Sequence, residues 1–395
     1  MSAPAPSGPS PSPRGGRLRS AGFASLLALT MGTGTFPGFA FGVLGPDLIA
    51  EFDLTRAGLG ILTTAHFAVG GLGSTIAGRA TDRLGARRTM LVAFGLVAAA
   101  QLAMAASGAF AWMLVAAAAA GVSLAAGNPA TNKAVSQHLA PGRRGLTMGV
   151  KQAGVQLGAV LAGWVVAPLA AGLGWRTALL ISAVVPVAGL LLTPLLVPPD
   201  PPRAGASERG GAAPLPSAIG RLAVYASLLG ASAGAFNAYL PLYAVERLGV
   251  TTTRAGAIAA AVGATGVVSR IAWGWLAERL ASPRVPLTGM AVGAVGAVAL
   301  VSAGQWLGPA AVWSGAVLFG ATAVTWNVVG MLAVISEVGP ADAGRASGRV
   351  LFGFYTGFVP SPVAFGALVD STGSYLVSWG LVMVLLAAAA LWARR

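Results

Sequence analysis

Two cations stand inside stretches of this sequence that are otherwise apolar. Lys151 lies about one and a half turns into the run 146–168, and Arg270 about two turns before Glu278 in the run 255–276. At 1.5 Å of rise per residue, both sit roughly 10 Å above one rim of a bilayer. A charge at that depth costs a few kcal/mol even on the mildest scale, so it marks a functional candidate that either clamps an anion or snorkels to the surface. Lys133 and Lys151 are the only lysines, and Lys133, at a helix end, reads as the snorkelling one. Asn128 and Asn327, with Pro129 and Trp326 beside them, could hydrogen-bond a polar solute or tie helices together. Phe36, Asn237 and Tyr239 flank Pro37 and Pro241 and read as cavity wall or as packing. Gln152 points about 100° away from Lys151, so one of the pair faces a cavity. His66 has an unperturbed pKa near neutrality, which makes it the candidate for proton coupling, with a packing imidazole as the other reading.

What positions these groups follows from composition. The chain is 56% hydrophobic and 9% charged, with a mean hydropathy of +0.77, more apolar surface than a water-solvated domain of 395 residues can hide. Lipid is the solvent, and the formal charge of +14 belongs to short loops rather than to a nucleic-acid surface. Taking roughly 20 apolar residues per span, helices are predicted near 21–43, 57–78, 89–107, 111–132, 146–168 and 177–197, then 219–243, 255–276, 285–304, 310–335, 347–369 and 375–393. Residues 1–20 read as a disordered basic tail, 21–197 and 218–395 as two six-helix bundles, and 198–217 as the linker between them. Arginines crowd one set of loops, leaving Arg56, Arg176, Arg247 and Arg254 on the other side, so the positive-inside rule puts both termini in the cytoplasm. The acids lie near the rims: Asp47, Asp53, Glu246 and Asp370 outside, Asp82, Glu278, Glu337 and Asp342 inside. With no cysteine and no clustered acid and imidazole set, thiol chemistry is excluded and neither metal, cofactor nor enzymatic activity is expected.

The two halves repeat. Thr55-Arg56-Ala57-Gly58 recurs as Thr253-Arg254-Ala255-Gly256, and Gly121 with Asn128 recurs as Gly320 with Asn327. Gly154, Gly158 and Gly163 match Gly357, Ser361 and Gly366. A parallel duplication of six spans implies a pseudo-two-fold axis along the membrane normal, with a cavity between the halves.

The segment Gly78-Arg-Ala-Thr-Asp82-Arg83-Leu-Gly85-Ala-Arg87-Arg88, echoed at Gly274, Glu278 and Arg279, resembles the loop between the second and third helices of the major facilitator superfamily. The resemblance implies a twelve-helix, all-α integral membrane fold and a gating role for Asp82, which would meet the inner end of the eleventh helix near Arg345 and Arg349. Gly78 would permit close helix approach there, and the basic residues would set topology or join the gate. Arg270 is similar in position to the eighth-helix Arg of monocarboxylate and oxalate carriers, although the Asp that proton-linked members place one turn earlier is Gly266 here. The fourth-helix Arg of many members and the fifth-helix Gly-Pro of many drug exporters are absent, since Ala precedes Gly121 and Ala159 follows Gly158.

The expected function is a secondary transporter in the inner membrane, a monomer that moves a small organic anion by alternating access. Lys151 and Arg270 would be its charge ligands, and Asn128, Asn327, Phe36, Asn237, Tyr239 and Gln152 would line the path, with protons as a coupling candidate. The alternative is a proton-coupled exporter of hydrophobic compounds, and a non-transporting membrane sensor comes third.

Overall fold

The computed structural model describes residues 13–139, 141–200, 215–277, 279 and 282–394. All its regular elements are helical, because in lipid every backbone N–H and C=O has to be satisfied within its own segment. Helix α1 (Pro13–Val43) is followed by a short helix α2 (Gly45–Phe52) and by α3 (Arg56–Leu72) and α4 (Ser74–Leu84), which make the second span with a break at Gly73. The third and fourth spans are α5 (Ala86–Ala105) and α6 (Phe110–His138). The fifth joins α7 (Pro141–Leu161) through a π turn at Ala162–Val166 to α8 (Ala167–Leu173), and the sixth is α9 (Trp175–Ser182) with α10 (Val184–Leu196).

The second half runs α11 (Ser217–Leu248), α12 (Thr252–Ala277), α13 (Arg284–Leu307) and α14 (Pro309–Ala321). A 3₁₀ turn at Ala323–Thr325 then leads into α15 (Trp326–Phe358), α16 (Ser361–Thr372) and α17 (Tyr375–Ala393). Within α15, the ring of Trp326 stacks on Phe354 with centroids 5.7 Å apart. Twenty-eight residues of straight helix would separate them by about 42 Å, so the chain reverses between them and α15 supplies the adjoining ends of two spans. Among the described residues, ten helices are long and apolar enough to cross a bilayer; the second span, split at Gly73, and the eighth, α12, complete the twelve.

Helix α1 is already formed at Pro13, the first described residue, eight residues before the predicted start and inside the expected tail. The repeat read from the sequence reappears as matched packing. A Cβ on Gly154 would stand 2.0 Å from the Ala28 carbonyl of α1, and one on its counterpart Gly357 would stand 1.9 Å from the Ser227 carbonyl of α11. Gly121 abuts the His66 carbonyl of α3, while Gly320 abuts Val262 of α12. Gly163 presses on Gly256 of α12, and Gly366 on Ala57 of α3. With little hydrophobic drive between helices in lipid, small residues that let backbones touch supply the association.

Three seams join the halves. Along α7 and α12 the contact runs from Gly163 against Gly256, past Gln156 against Gly263, to Gln152 beside Arg270. Along α3 and α16 it runs from Gly366 against Ala57, through Gly60 against Pro362, to Gly71 against Tyr355 of α15. Gly42 of α1 meets the Asn237 carbonyl of α11. Beyond Gly71 the second span continues as α4, which packs chiefly on α5 and α6 of its own half.

Candidate functional site

On α6, Asn128, Thr131 and Asn132 fall at i, i+3 and i+4, the spacing that places side chains on one helix face. That face is turned toward α7. Lys151 Nζ donates to Asn128 Oδ1 at 3.3 Å, to Thr131 Oγ1 at 3.0 Å and to Asn132 Oδ1. The lysine is wholly buried, Asn128 half-buried and Asn132 exposed. An ammonium has three donors, and here all three meet neutral oxygens. Its charge is therefore solvated but not neutralised, and the two amides stand between it and the accessible side.

Across the seam, Arg270 of α12 donates from Nη1 to the Gln152 carbonyl at 2.9 Å, while its Nε is buried without a partner. The bond reaches the residue that follows Lys151 in the chain, so cations from opposite halves converge on one turn of α7. Asn327, at the start of α15 beyond the 3₁₀ turn, has a buried side-chain oxygen with no partner. Its neighbour Trp326 packs on Tyr225 and Phe354. The ion pairs of Arg56 with Glu246 and Asp370 and of Arg176 with Glu51 lie elsewhere, at one rim.

The remaining expected wall residues are spread through the molecule. Asn237 borders a void of about 10 Å³ between Phe39, Ala159 and Val262, on the axis between the halves; that is about the smallest space a water fits. Phe36 instead faces a cavity inside the first half. Tyr239 lies at the outer rim, where its hydroxyl donates to the Arg56 carbonyl at 2.5 Å and its ring stacks on Phe365. His66 is fully buried between Phe41 and Phe67, with Nδ1 3.3 Å from the Ala117 carbonyl and Nε2 unpartnered.

At the rim that the charge pattern makes the outer one, Arg56 ties the halves together. Its Nη2 reaches Glu246 of α11 at 2.7 Å, its Nη1 lies 3.5 Å from Asp370 of α16, and its Nε donates to Glu246 and to Tyr375. The amides of Arg56 and Ala57 also donate to Asp370, and Arg247 caps the Gly373 carbonyl. Sequence reasoning placed these acids at the rim without pairing them.

Of the expected inner gate, the side chains of Asp82, Glu278 and Arg345 lie outside the described residues. Arg83, Arg279 and Arg349 are exposed. Gly78 corrects an expectation: nothing lies within 4 Å of where its Cβ would stand, so the close helix approach expected there is not made in this arrangement. Gly85 earns its place by conformation, since its φ of +90° is one that L side chains rarely adopt. It turns the chain into α5, whose first amides, Ala86 and Arg87, donate to Asp200 at 2.6 and 3.2 Å. Arg87 reaches the Pro194 carbonyl of α10 at 3.2 Å. Asp200, within the segment 198–217 expected to be a linker, thus satisfies the positive end of the third span. Its distance of more than a hundred residues from α5 left no local signal.

Residues 22–348 match the model of the Major Facilitator Superfamily. The chain belongs to that superfamily. Among curated relatives, this superfamily member is 29% identical over 355 residues to a probable nitrate/nitrite transporter of Mycobacterium tuberculosis, covering 84% of this chain and 86% of the relative. It is 28% identical over 192 residues to a gallate transporter of Pseudomonas putida, covering 47% and 42%. Among solved structures, a bacterial homologue of the human lysosomal transporter Spinster, in an inward-facing and unoccupied conformation, superposes with a TM-score of 0.76 at 16% identity over 97% of each chain. A nucleoside transporter superposes with a TM-score of 0.77 at 14% identity, over 95% of this chain and 99% of that one. The transporter is a multi-pass membrane protein of twelve spans, and its relatives and fold are those of carriers rather than enzymes.

Proposed function

We propose that this superfamily member carries a small anion, an organic carboxylate or an oxyanion of similar size, through the cytoplasmic membrane by alternating access between bundles 21–197 and 218–395. The linker is 198–217, and both termini face the cytoplasm. The observation that carries the reading is that Lys151 and Arg270, from opposite halves, meet at one turn of α7 with only neutral oxygens as partners among the described residues. A buried ammonium and a half-buried guanidinium that find no counter-ion among the described residues are costly, and an anion bridging them removes that cost while drawing the halves together. Asn128, Asn132 and Gln152 would orient it, with Asn327 and Asn237 further along the path. Relatives named for nitrate, nitrite and gallate fit the same sign of charge.

The outer network of Arg56 keeps the outer side shut in this arrangement, and the family loop from Gly78 through Asp82 to Arg87 would do the same for the inner side in the opposite state, with Arg345 and Arg349 opposite. His66 is proposed as the proton-coupling group, because one ring nitrogen is committed to Ala117 and the other is free to change state. The protein is proposed to act as a monomer.

Counterflow of labelled nitrate, gallate and a panel of carboxylates in vesicles tests the reading. Anion-selective exchange that disappears in the Lys151→Ala, Arg270→Ala double variant is expected; selectivity unchanged in that variant would overturn the charge clamp. His66→Asn is expected to keep exchange and to lose the response to an imposed proton gradient. Export of hydrophobic compounds is the second reading, favoured by the apolar cavity that Phe36 faces; a strain overproducing the chain and gaining resistance to such compounds would support it.

A further inference from the structure

Inside the first half, away from the seams, lies a cavity of about 550 Å³, within the range of small-molecule sites. Gly32 and Phe36 of α1 form its floor. Its lips are Val150, Leu157 and Val165 on the fifth span and Ile181 and Val184 on the sixth, each an exposed aliphatic side chain. On helices that cross a bilayer, exposed aliphatic surface at this depth faces lipid, so the cavity opens sideways into the membrane.

Its shape is built in. The π turn Ala162–Val166 reshapes the fifth span beside it, and π turns cluster at functional sites. The sixth span is broken at Ala183, and Pro186, one turn on, has no N–H to give the Ser182 carbonyl. Gln101 reaches the cavity from α5. It is 1% exposed, and its carboxamide oxygen has no hydrogen-bond partner. The walls are thus apolar apart from Gln101 Oε1, an oxygen that lacks a donor and is costly to leave so in a low-dielectric site.

We infer that this cavity is a binding site for a bilayer-resident amphiphile with a long apolar body and a hydroxyl donor, of the long-chain alcohol or diacylglycerol kind. The hydroxyl meets Gln101, and the chain lies between the fifth and sixth spans. The site is separate from the cation layer, and its occupant does not cross the seam.

The test uses the full chain in phosphatidylethanolamine and phosphatidylglycerol vesicles, with diazirine-bearing hexadecanol and diazirine-bearing hexadecane as probes and mass spectrometry to locate the label. Alcohol label concentrated on 150–165 and 181–184, displaced by plain hexadecanol, is expected. Leu157→Trp, which fills the mouth with another apolar group, is expected to reduce both labels there, and Gln101→Leu to reduce the alcohol label about fivefold, one lost hydrogen bond, while sparing the alkane. Label spread evenly over other lipid-facing residues such as Leu195, Val268 and Leu391 would overturn the site. An alcohol-to-alkane ratio of one at the cavity in the unmodified chain, or a ratio unchanged by Gln101→Leu, would overturn the hydroxyl recognition.

Discussion

Arg56 and Glu246 meet at 2.7 Å across the ends of the two halves that the charge pattern makes the outer ones, from α3 to α11. Both side chains are partly open to water, about a third and a quarter exposed, so the pair by itself contributes little, on the order of 1 kcal/mol or less. That scale suits a latch. In the proposed alternating-access cycle this closure breaks at every turn, and a strongly bound seam would trap the protein.

Removing the latch should therefore shift populations rather than unfold the protein. The chain has no native cysteine, so Ala238→Cys, buried in the outer seam, reports on opening without background. Arg56→Gln is expected to raise its labelling by an external, membrane-impermeant maleimide about threefold to fivefold, the population change that up to 1 kcal/mol allows. Equal labelling with and without Arg56 would mean that the seam is held by its glycines instead.

Asn132 accepts from Lys151 and is exposed. In Asn132→Asp a fixed carboxylate would stand where the proposed anion binds. Anion uptake is expected to fall at least about tenfold, while thermal stability holds or rises because the buried charge gains a permanent partner. Uptake that survives this change would separate Lys151 from substrate binding.

The matched glycines Gly154 and Gly357 predict matched losses. Alanine at either forces a Cβ into a neighbouring backbone carbonyl, which should destabilise the protein by about 1–3 kcal/mol. At Gly95 the same change meets open space and should be neutral or slightly stabilising. Melting curves of the three variants in one detergent check the ranking.

Glu51 accepts from Arg176 at 2.8 Å outside the spans, and that hydrogen bond holds its carboxyl below the ordinary 4.5. A depressed carboxylate gives stability that is complete above its unfolded pKa and is lost as pH falls through the folded one. Melting temperatures of the parent and Glu51→Gln should therefore differ at about pH 7 and converge near about pH 3; a gap that persists in acid would assign the effect to packing, with Arg176 resting on Trp175 at 4.3 Å.

Twelve spans, their order and the internal repeat are written locally, because a run of apolar residues can cross a bilayer only as a helix and a duplicated glycine pattern stays visible along the chain. Lys151 and Arg270 stood out for the same reason, as charges where lipid tolerates few. Thr131 and Asn132 follow from the i, i+3, i+4 rule applied to the Asn128 turn, but neutral side chains carry no membrane penalty that would mark them in the sequence.

Other relationships had no local trace. Arg56 finds Glu246 and Asp370, Asp200 caps α5, and Tyr239 turns to the outer rim rather than to the cation layer. Each joins residues more than a hundred positions apart: the contacts of Arg56 and Tyr239 depend on how the two halves dock, and that of Asp200 on how the sixth span returns beside the third. Sequence hydropathy determines what enters the membrane; only the docking of the bundles decides which rim is closed and which charges face one another.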